Sequence, residues 1–559
     1  MPVITLHRER FSKYLGKELS VEEMEKWLPW LGTDIEDVGP DYVKVEYNPN
    51  RLDFSSHVGL ARALKGLLGI EVGMPRYDVE PGGIVVNVDP SVERVRPYVL
   101  SAVVRGVKLD EDLVREIMDM QEDIHWGVGR DRRKAAIGIH NLDVLVPPFT
   151  YKAVSPDAKF IPLDKTREMS ISEILKEHEK GVAYAHLLKH TDKYPVIVDS
   201  LDRIFTFPPI INSELTRVTP ETKNIFIDVT GPSMDAVKMS LNLVVTALAD
   251  MGGRIESVQV RYPDETLISP DLTPLRMRLR TSYANSLLGL NLTDEEAAEC
   301  LRRCRLDARV ASPGVLEVCV PAYRVDVMHE VDLVEEVAIG YGLYRMTPTR
   351  PKGSTSGRQH PVSRVVNCVR MIMIGLGFTE VVNFVLTNED VHYRMMRMEF
   401  GGAVRLANPA SALYSIARTM LLPGLMQNLS TNRHESYPQR LFEVSDVIVP
   451  NEDLATKAER RVHVAAVSAH SKADFTEIKA CMEALLRNLG VDGWGVEEAR
   501  HPSFIEGRTA QVTLHGEKLG LVGEIHPEVL NNFGLENPVG AFELDLEPII
   551  RTRRAGTAG

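Results

Sequence analysis

The chain has 559 residues, of which 44% are hydrophobic and 26% charged, and its formal net charge is −13. This length predicts about three to five domains that each bury a core, in a soluble globular protein. The negative net charge excludes a protein that coats nucleic acid through bulk positive charge. The five cysteines form no CxxC pair, so neither a disulfide framework nor a zinc site is expected. The first residues lack a signal-peptide core and no apolar run is long enough to span a bilayer, so we expect a cytoplasmic protein.

The first module, residues 1–75, has a second copy later in the chain. Residues 15–69 align without a gap with residues 288–342, at a constant offset of 273. Ser20 and Thr293 hold equivalent places, each three residues before a glutamate, which is typical of a capped helix start. The alignment predicts two domains of one fold, each combining helices with a short β-hairpin. Chance similarity between two helix–strand–helix segments is the alternative.

A mixed α/β block follows over residues 76–268. It contains a compact basic patch at 130–134, for which a solvated loop is the favoured interpretation, and a long polar, proline-punctuated segment at 207–222. Long loops inside compact domains commonly carry function. The alternative for their polar residues is that they only cap and turn the chain. Four side chains are predicted to line one polar pocket: Asn212, Ser213, Asp228 and Thr230.

The second module, residues 269–347, concentrates four carboxylates within eleven residues: Asp326, Asp332, Glu335 and Glu336. The last three stand at i, i+3 and i+4 of a predicted helix, where like charges repel by a few tenths of a kcal/mol per pair. A hard divalent cation such as Mg²⁺ turns this repulsion into binding. The first copy keeps the aspartate as Asp53 but has Gly59, Arg62 and Ala63 in the other three places, so the fold itself does not require the cluster. A metal and a basic partner surface are the leading explanations, and a solvated acidic face is the third.

A linker rich in proline, glycine, serine and threonine spans residues 348–361. The last block, 362–550, begins with a helix and continues through apolar strands, one of them predicted over 381–386, and a further helix over 476–489. This pattern predicts an antiparallel sheet flanked by helices, in a chain that is multidomain α+β as a whole. The tail, 551–559, is predicted to be disordered.

Familiar catalytic signatures are absent from the sequence. It contains no GxxxxGK[ST] phosphate loop, no GxSxG nucleophile elbow and no HExxH zinc helix. The sixteen histidines are scattered, and none stands at a recognised ligand spacing from a cysteine or an acid. Function therefore has to be read from less general motifs.

Three segments resemble the phenylalanyl-tRNA synthetase beta-subunit family. The first is the string Arg324-Val-Asp326 through Asp332-Leu-Val-Glu-Glu-Val337 to Tyr341-Gly342. The others are 207–232, with its Asn-Ser-Glu and Asp-Val-Thr-Gly elements, and 520–530 with 541–546. The resemblance covers essentially the whole chain. The length of the chain, which leaves out an N-terminal tRNA-binding barrel and a C-terminal anticodon domain, resembles that of the archaeal and eukaryotic type of this subunit.

The resemblance implies an assembly of two alpha and two beta subunits that couples L-phenylalanine to tRNA(Phe) with ATP. It places the synthetic active site in the alpha subunit, and it implies a Mg²⁺ site shared with that subunit at Asp326, Asp332, Glu335 and Glu336. The last block then resembles a class II synthetase domain that has lost its chemistry. Arg440-Leu-Phe-Glu443 is a faint counterpart of the second class II motif, and residues 540–546 lack the terminal arginine of the third.

The resemblance also implies that residues 76–268 are an editing domain that hydrolyses mischarged tyrosyl-tRNA(Phe), with its pocket at Asn212, Ser213, Asp228 and Thr230. A hydrophobic pocket for phenylalanine cannot strongly exclude tyrosine, which adds only a hydroxyl, so a second sieve is required. No nucleophile–base pair is visible in the sequence, so direct attack by water is expected. The alternatives are a free-standing editing hydrolase and a non-catalytic scaffold that binds RNA or protein.

Overall fold

The computed structural model describes residues 2–350, 353 and 355–556. The chain divides into two compact units, Met1–Arg350 and Pro351–Gly559, and each buries its own hydrophobic core. None of the helices in the described residues is long and apolar enough to cross a membrane.

The first unit opens with a small module built on a three-stranded sheet in the order β1-β3-β2. Its capping box is present, since the Ser20 hydroxyl accepts from Glu23 N while the Glu23 carboxylate accepts from Ser20 N. A core of leucines, valines and aromatic residues lies between the sheet and the helices. The elements are β1 (Val3–His7), α1 (Arg8–Leu15), α2 (Val21–Trp27), β2 (Asp34–Val38), β3 (Tyr42–Glu46) and α3 (His57–Leu67).

A large α/β block follows, and a single sheet forms its centre. Its strands are joined mainly antiparallel, with parallel pairing of β4 to β14 and to β7. The helices are α4 (Glu111–Trp126), α5 (Ile171–Glu177), α6 (Glu179–Tyr184) and α7 (Met234–Asp250). The strands are β4 (Val79–Val88), β5 (Tyr98–Arg105), β6 (Ala136–Asn141), β7 (Phe149–Val154), β8 (Lys159–Phe160), β9 (Met169–Ser170), β10 (Tyr194–Val198), β11 (Ile204–Phe207), β12 (Ile211–Asn212), β13 (Asn224–Gly231), β14 (Arg254–Arg261) and β15 (Thr266–Ser269).

The strand order in this sheet is β12-β11-β10-β7-β4-β14-β5-β13-β6, so β12 and β6 are its two ends. These ends approach each other, because Asn212 Nδ2 on β12 donates to Ile139 O on β6 at 3.5 Å. The sheet therefore curls until its edges nearly meet, and the space between them is where a cavity can form.

A second small module closes the first unit, and its elements repeat those of the first. Adding 273 to the bounds of α1, 8 and 15, gives 281 and 288, the bounds of α8. The sheet order β16-β18-β17 again places the first strand beside the third. In both modules a strand ahead of the aligned segment joins the predicted hairpin, and Thr293 with Glu296 forms the second capping box. The elements are β16 (Leu275–Arg280), α8 (Thr281–Leu288), α9 (Asp294–Arg303), β17 (Asp307–Ser312), β18 (Val315–Val320) and α10 (Glu330–Tyr341).

The second unit is built on a seven-stranded sheet in the order β19-β22-β23-β27-β26-β25-β24, and β20 and β21 form a separate two-stranded sheet, within the residues that the structure describes. Its strands are antiparallel as predicted, except that β19 runs parallel to β22. The helices are α11 (Pro361–Gly375), α12 (Leu422–Thr431), α13 (Phe475–Asn488), α14 (Pro527–Asn532) and α15 (Glu547–Gly556). The strands are β19 (Thr379–Glu380), β20 (Leu386–Thr387), β21 (Ile416–Ala417), β22 (Gln439–Pro450), β23 (Ala458–Ala469), β24 (Trp494–Glu498), β25 (Phe504–Leu514), β26 (Glu517–Ile525) and β27 (Val539–Asp545).

Three boundary predictions in this unit are corrected. The strand predicted over 381–386 is absent across 381–385, where Val381 N donates to Phe442 O on β22 but Val382 and Phe384 are exposed and no ladder continues the pairing. The linker gives way to α11 at Pro361, because proline suits the first helical position. The first residues of the tail predicted as disordered belong to α15, which Ile549 and Ile550 anchor in the core. Residues 557–559 of the tail and residues 351, 352 and 354 of the linker lie outside the described residues.

Candidate active site

A cavity of about 360 Å³ opens where the two ends of the central sheet approach each other. This volume lies within the range of pockets that hold small molecules, about 300–1,000 Å³. Its wall is mostly apolar, and Ile137, Ile139, Ile210 and Ile211 contribute to it. Of the four side chains predicted to share a polar pocket, three line this cavity: Asn212, Ser213 and Asp228.

Asp228 lies on β13 in the cavity wall and is almost completely buried. Its Oδ1 is 2.7 Å from Nε2 of His140 on β6, and Nδ1 of the same ring is 2.8 Å from Thr216 Oγ1. The register explains this contact. Asp228 stands opposite Gly138, so His140, two residues further along β6, is its diagonal neighbour on the same face of the sheet.

Asn212 ends β12, Ser213 comes directly after it, and both line the cavity. Asn212 Oδ1 accepts from the Thr206 hydroxyl at 3.0 Å, and its amide bridges to β6. The Ser213 hydroxyl donates to Ile161 O and accepts from Leu215 N. Because both of its hydrogen bonds are to backbone groups, Ser213 builds the loop and has no base beside it.

Thr230 does not reach the cavity, although it shares a sheet face with Asp228. Its hydroxyl accepts from Arg96 Nε at 2.9 Å, and its carbonyl accepts from Arg96 Nη2 at 2.6 Å. Two residues of strand span about 6.6 Å, so a shared face does not ensure a shared cavity. Thr230 thus serves to hold the buried guanidinium of Arg96, which also donates to Arg132 O.

The basic patch at 130–134 is not simply a solvated loop. Arg132 is buried at the cavity rim, where Nη1 donates to Pro209 O and Ile210 O at 3.2 and 3.0 Å and Nη2 donates to Glu122 Oε1 at 2.6 Å. Arg130, Asp131 and Arg132 all have φ between 50° and 63°, a left-handed conformation that costs non-glycine residues energy. Such strain persists where surrounding contacts hold it, often at functional sites. The basic pattern of 130–134 did not predict this left-handed conformation or the burial of Arg132.

Glu122, the partner of Arg132, lies on α4 beside a buried histidine. Burial alone would raise the pKa of Glu122, but His125 and Arg132 lower it to about 2. Burial lowers the pKa of His125 to about 4, and its Nε2 accepts from Ile137 N at 2.8 Å. A neutral imidazole is therefore part of the connection between α4 and β6.

The four carboxylates of the second module do not gather at one point. Arg324 binds Asp326 in a bidentate pair, with Nε to Oδ1 at 2.9 Å and Nη2 to Oδ2 at 2.7 Å, and it also binds Glu336. Burial alone would raise the pKa of Asp326, but Arg324 lowers it below its ordinary value. Asp332 instead accepts from Met328 N and His329 N at the start of α10. Glu335 is exposed, and its pKa is raised by burial of part of the side chain and by Glu336.

The first module supplies basic groups to the same place. Arg51 and Asp53 form the same bidentate pair as Arg324 and Asp326, and Arg51 lies 4.0 Å from both Asp326 Oδ2 and Glu336 Oε1. Arg62 lies 3.9 Å from Asp53, so three arginines face three carboxylates in a buried cluster. The basic surface that was one explanation for the acidic residues is supplied by arginines of this same chain.

These contacts do not fit a four-carboxylate Mg²⁺ site. Mg²⁺ requires near-ideal octahedral oxygen geometry, whereas two of the predicted ligands are bound to a guanidinium and a third caps a helix. Within the described residues, no group of three or more histidine, cysteine, aspartate or glutamate side chains is arranged to hold a metal ion. The assignment of Asp326, Asp332, Glu335 and Glu336 as ligands stays a prediction that this geometry does not support.

Comparison with known proteins shows the family. A model described as the phenylalanyl tRNA synthetase beta chain CLM domain matches residues 346–546, and one described as the tRNA synthetase B5 domain matches 277–343. The phenylalanine–tRNA ligase beta subunit of Methanothrix thermoacetophila is 47% identical over 98% of this chain and 100% of the relative, and that of Archaeoglobus fulgidus is 44% identical over 99% of both. The chain belongs to the phenylalanine–tRNA ligase beta-subunit family.

A solved structure of the same family covers the first unit. An N-terminal fragment of the phenylalanyl-tRNA synthetase beta subunit from Pyrococcus horikoshii is 41% identical, with a TM-score of 0.59 over 61% of this chain and 99% of the fragment. The B5 match falls on the second module, from within β16 to just beyond α10. The cavity, by contrast, lies in the block between the two modules of this beta-subunit family member.

In the second unit, the polar residues of the faint class II motif are bound by protein groups. Glu443 is fully buried, with Oε1 2.8 Å from Arg418 Nη1 and Oε2 accepting from Asn383 Nδ2 at 2.8 Å. Arg440 Nη2 donates to Glu477 at 2.8 Å. Glu443 therefore supports the sheet from inside, whereas Arg440 makes its ion pair at a partly exposed position.

Proposed function

We propose that this chain acts as the beta subunit of a phenylalanine–tRNA ligase and carries the hydrolytic editing site of the complex in the cavity beside Asp228. In the complex, an alpha subunit attaches L-phenylalanine to tRNA(Phe) with ATP, in an assembly of two alpha and two beta subunits. The near full-length identity to beta subunits of that name supports the first part of the proposal. The cavity supports the second.

The observation that carries the editing proposal is a buried carboxylate in a mostly apolar cavity. Asp228 Oδ1 is held by His140, whereas Oδ2 has no hydrogen bond from any residue that the structure describes. An apolar wall suits the ring of an aromatic amino acid, and a free carboxylate oxygen accepts a hydrogen bond from the phenol of tyrosine. Phenylalanine leaves that oxygen unpaired, and unpaired polar groups give a site its strongest discrimination.

The hydrolysis step is proposed to be direct attack of water on the ester carbonyl. Ser213 has no base, and Thr216, which does contact His140, is only 1% exposed. Neither hydroxyl is therefore placed to form an acyl intermediate. Asn212, which is half-buried in the cavity wall, is proposed to orient the aminoacyl end.

The second unit is proposed to be a class II-like domain without synthetic chemistry that assembles with the alpha subunit. Its Arg440 and Glu443 are engaged by Glu477, Arg418 and Asn383, so neither is free to hold phosphates. ATP and its Mg²⁺ are accordingly assigned to the complex and not to Asp326, Asp332, Glu335 and Glu336. No step is proposed to pass through a metal on this chain.

The test uses the chain co-purified with its alpha subunit. The wild-type complex is expected to charge phenylalanine and to release tyrosine from tyrosyl-tRNA(Phe), whereas Asp228→Ala keeps charging and loses most of the deacylation. The isolated chain is expected to show no ATP–pyrophosphate exchange. Equal deacylation by the wild-type and Asp228→Ala complexes would reject the editing assignment.

A further inference from the structure

His140 is a buried, polar side chain that none of the sequence motifs singled out. It is completely buried on β6, with rings of Phe205 and Phe226 at centroid distances of 5.1 and 6.3 Å. Within this apolar surrounding its two ring nitrogens contact Asp228 and Thr216. A buried polar group is costly unless it is paired, so an imidazole retained among phenylalanines requires these two partners.

The sheet leaves a specific space for this contact. Asp228 stands opposite Gly138, and a Cβ at Gly138 would lie 2.4 Å from Asp228 Oδ1 and 2.5 Å from His140 Nε2. Any other residue at position 138 would therefore displace the carboxylate, the imidazole or both. Gly138 has no positive φ to explain its presence, so the requirement is steric.

The contact determines which carboxylate oxygen reaches the cavity. An ionised carboxylate only accepts hydrogen bonds, so His140 Nε2 is the donor to Oδ1. Oδ2 receives no hydrogen bond from the described part of the chain and is not among its sealed, unpaired polar atoms, so we infer that it is the oxygen accessible from the cavity that Asp228 lines. Without the imidazole, rotation about χ1 and χ2 would let the carboxylate turn towards other donors.

We propose that His140 is a positioning residue of the editing site: its Nε2–H holds Asp228 so that the second carboxylate oxygen faces the substrate's hydroxyl, in a space that Gly138 keeps open. The proposal rests on the editing function proposed above and adds the residues that prepare Asp228 for it. His140 itself does not touch the substrate.

Two substitutions separate the contacts of the ring. His140→Gln places an amide N–H near the position of Nε2 and keeps the hydrogen bond to Asp228. His140→Asn places it near Nδ1 and keeps only the bond to Thr216. A hydrogen bond to a charged group corresponds to about a tenfold to hundredfold effect. For tyrosyl-tRNA(Phe) deacylation by the complex with the alpha subunit, we expect His140→Gln within about threefold of wild type and His140→Asn reduced about tenfold or more.

Further variants control for folding and for a different chemistry. His57→Gln changes another buried histidine that faces a carboxylate, Glu116 at 2.9 Å; neither residue lines the cavity, so this variant is expected to leave deacylation unchanged. Gly138→Ala is expected to lower deacylation at least as much as His140→Asn while phenylalanine charging persists. If His140 instead acted as a base on Thr216, the order would reverse or both variants would lose activity equally.

Crystal structures of the two His140 variants test the proposal independently of any activity assay. Asp228 is expected to keep its side-chain conformation in His140→Gln and to rotate in His140→Asn. An unmoved Asp228 in His140→Asn, or equal deacylation by the two variants, would overturn the positioning role even if Asp228→Ala is inactive. A wild-type complex that cannot deacylate tyrosyl-tRNA would overturn the editing function instead, and the crystallographic comparison would still decide the role of His140.

Discussion

Arg324 is buried between Asp326 and Glu336, and each carboxylate depends on it for compensation. Arg324→Met would leave both charges in a low-dielectric surrounding, because Arg51 is no closer than 4.0 Å to either. Removing one partner of a buried ion pair typically costs about 3–5 kcal/mol. We expect a loss of this size in the free energy of unfolding, measured by denaturant titration of the purified chain.

A matched control for that variant is Arg280→Met in the same module. Arg280 pairs with Glu330 at 2.7 Å, but its side chain is 61% exposed. Exposed pairs contribute about 0–1 kcal/mol, so this variant should unfold close to wild type. Similar losses in the two variants would mean that burial of Arg324 carries no special weight.

Removal of divalent metal ions tests whether the same carboxylates bind a metal. Because Arg324 already compensates Asp326 and Glu336, chelation of divalent ions by EDTA is expected to leave the melting temperature of the chain unchanged. Calorimetry with and without added Mg²⁺ provides the measurement. A melting temperature that falls with EDTA and recovers with Mg²⁺, but does neither in Asp332→Ala, would support the four-carboxylate site instead.

At the scale of single elements, α4 is held to the central sheet by a histidine that must stay neutral. His125 Nε2 accepts from Ile137 N, and burial lowers the pKa of His125 from 6.5 to about 4. A lowered pKa gives stability that is complete above about pH 6.5 and is lost as pH falls towards 4. The fall in the pKa of His125 from 6.5 to about 4 corresponds to about 3 kcal/mol.

The measurement compares wild type with His125→Gln, whose side-chain oxygen can accept from Ile137 N at any pH. The melting temperature of wild type should fall more steeply between pH 6.5 and 4 than that of the variant. Titration of carboxylates other than Glu122, whose pKa His125 helps to lower, is common to both proteins and cancels in the comparison. Parallel curves would show that His125 does not titrate with the assigned sign.

The close contact between α9 and α10 limits the size of the residue at position 340. A Cβ at Gly340 on α10 would lie 1.9 Å from the Cys300 carbonyl oxygen on α9. Gly340→Ala should therefore force the helices apart and cost at least about 1–3 kcal/mol. Gly375→Ala at the end of α11 has nothing within 4 Å and should be neutral or stabilising by up to about 1 kcal/mol. Denaturant unfolding of both variants checks the contrast.

At the scale of the whole molecule, the two compact units can be tested separately by truncating the chain near the linker. The first unit has its own cores, and the crystallised Pyrococcus horikoshii fragment corresponds to 61% of this chain. We expect residues 1–346 alone to melt cooperatively and to deacylate tyrosyl-tRNA(Phe) without an alpha subunit. A shorter piece, 1–268, should be less stable because it lacks the Asp326 and Glu336 that face Arg51. Hydrolysis that requires the second unit would contradict the prediction.

Local sequence pattern predicted most of the fold. The two modules match element by element at the offset of 273, and the capping boxes at Ser20 and Thr293 are both present. Pattern failed at 381–385, where one backbone hydrogen bond to β22 and one from Arg418 N do not make the continuous ladder that a strand requires. The pattern also predicted disorder from residue 551, whereas α15 extends through residue 556 because Ile549 and Ile550 are buried in the core.

The candidate site was predictable only in part. Asp228 was expected in a pocket with Asn212 and Ser213, and the three line one cavity, whereas Thr230 is turned to Arg96. His140 gave no sequence signal, because a lone histidine in an apolar strand is usually a core residue. Its role follows from the register of β6 against β13, which a sequence does not display.

The sequence by itself determined the repeated modules, the order of helices and strands and the carboxylates available near position 330, because caps, periodicity and composition act over a few neighbouring residues. Only the tertiary structure decided what those carboxylates face and which oxygen of Asp228 is free. Arg51 lies 273 residues before Arg324, and His140 lies 88 residues before Asp228. Contacts over such separations form only when sheets and modules pack together, and that packing places Arg51 near Asp326 and Glu336 and an imidazole beside Asp228.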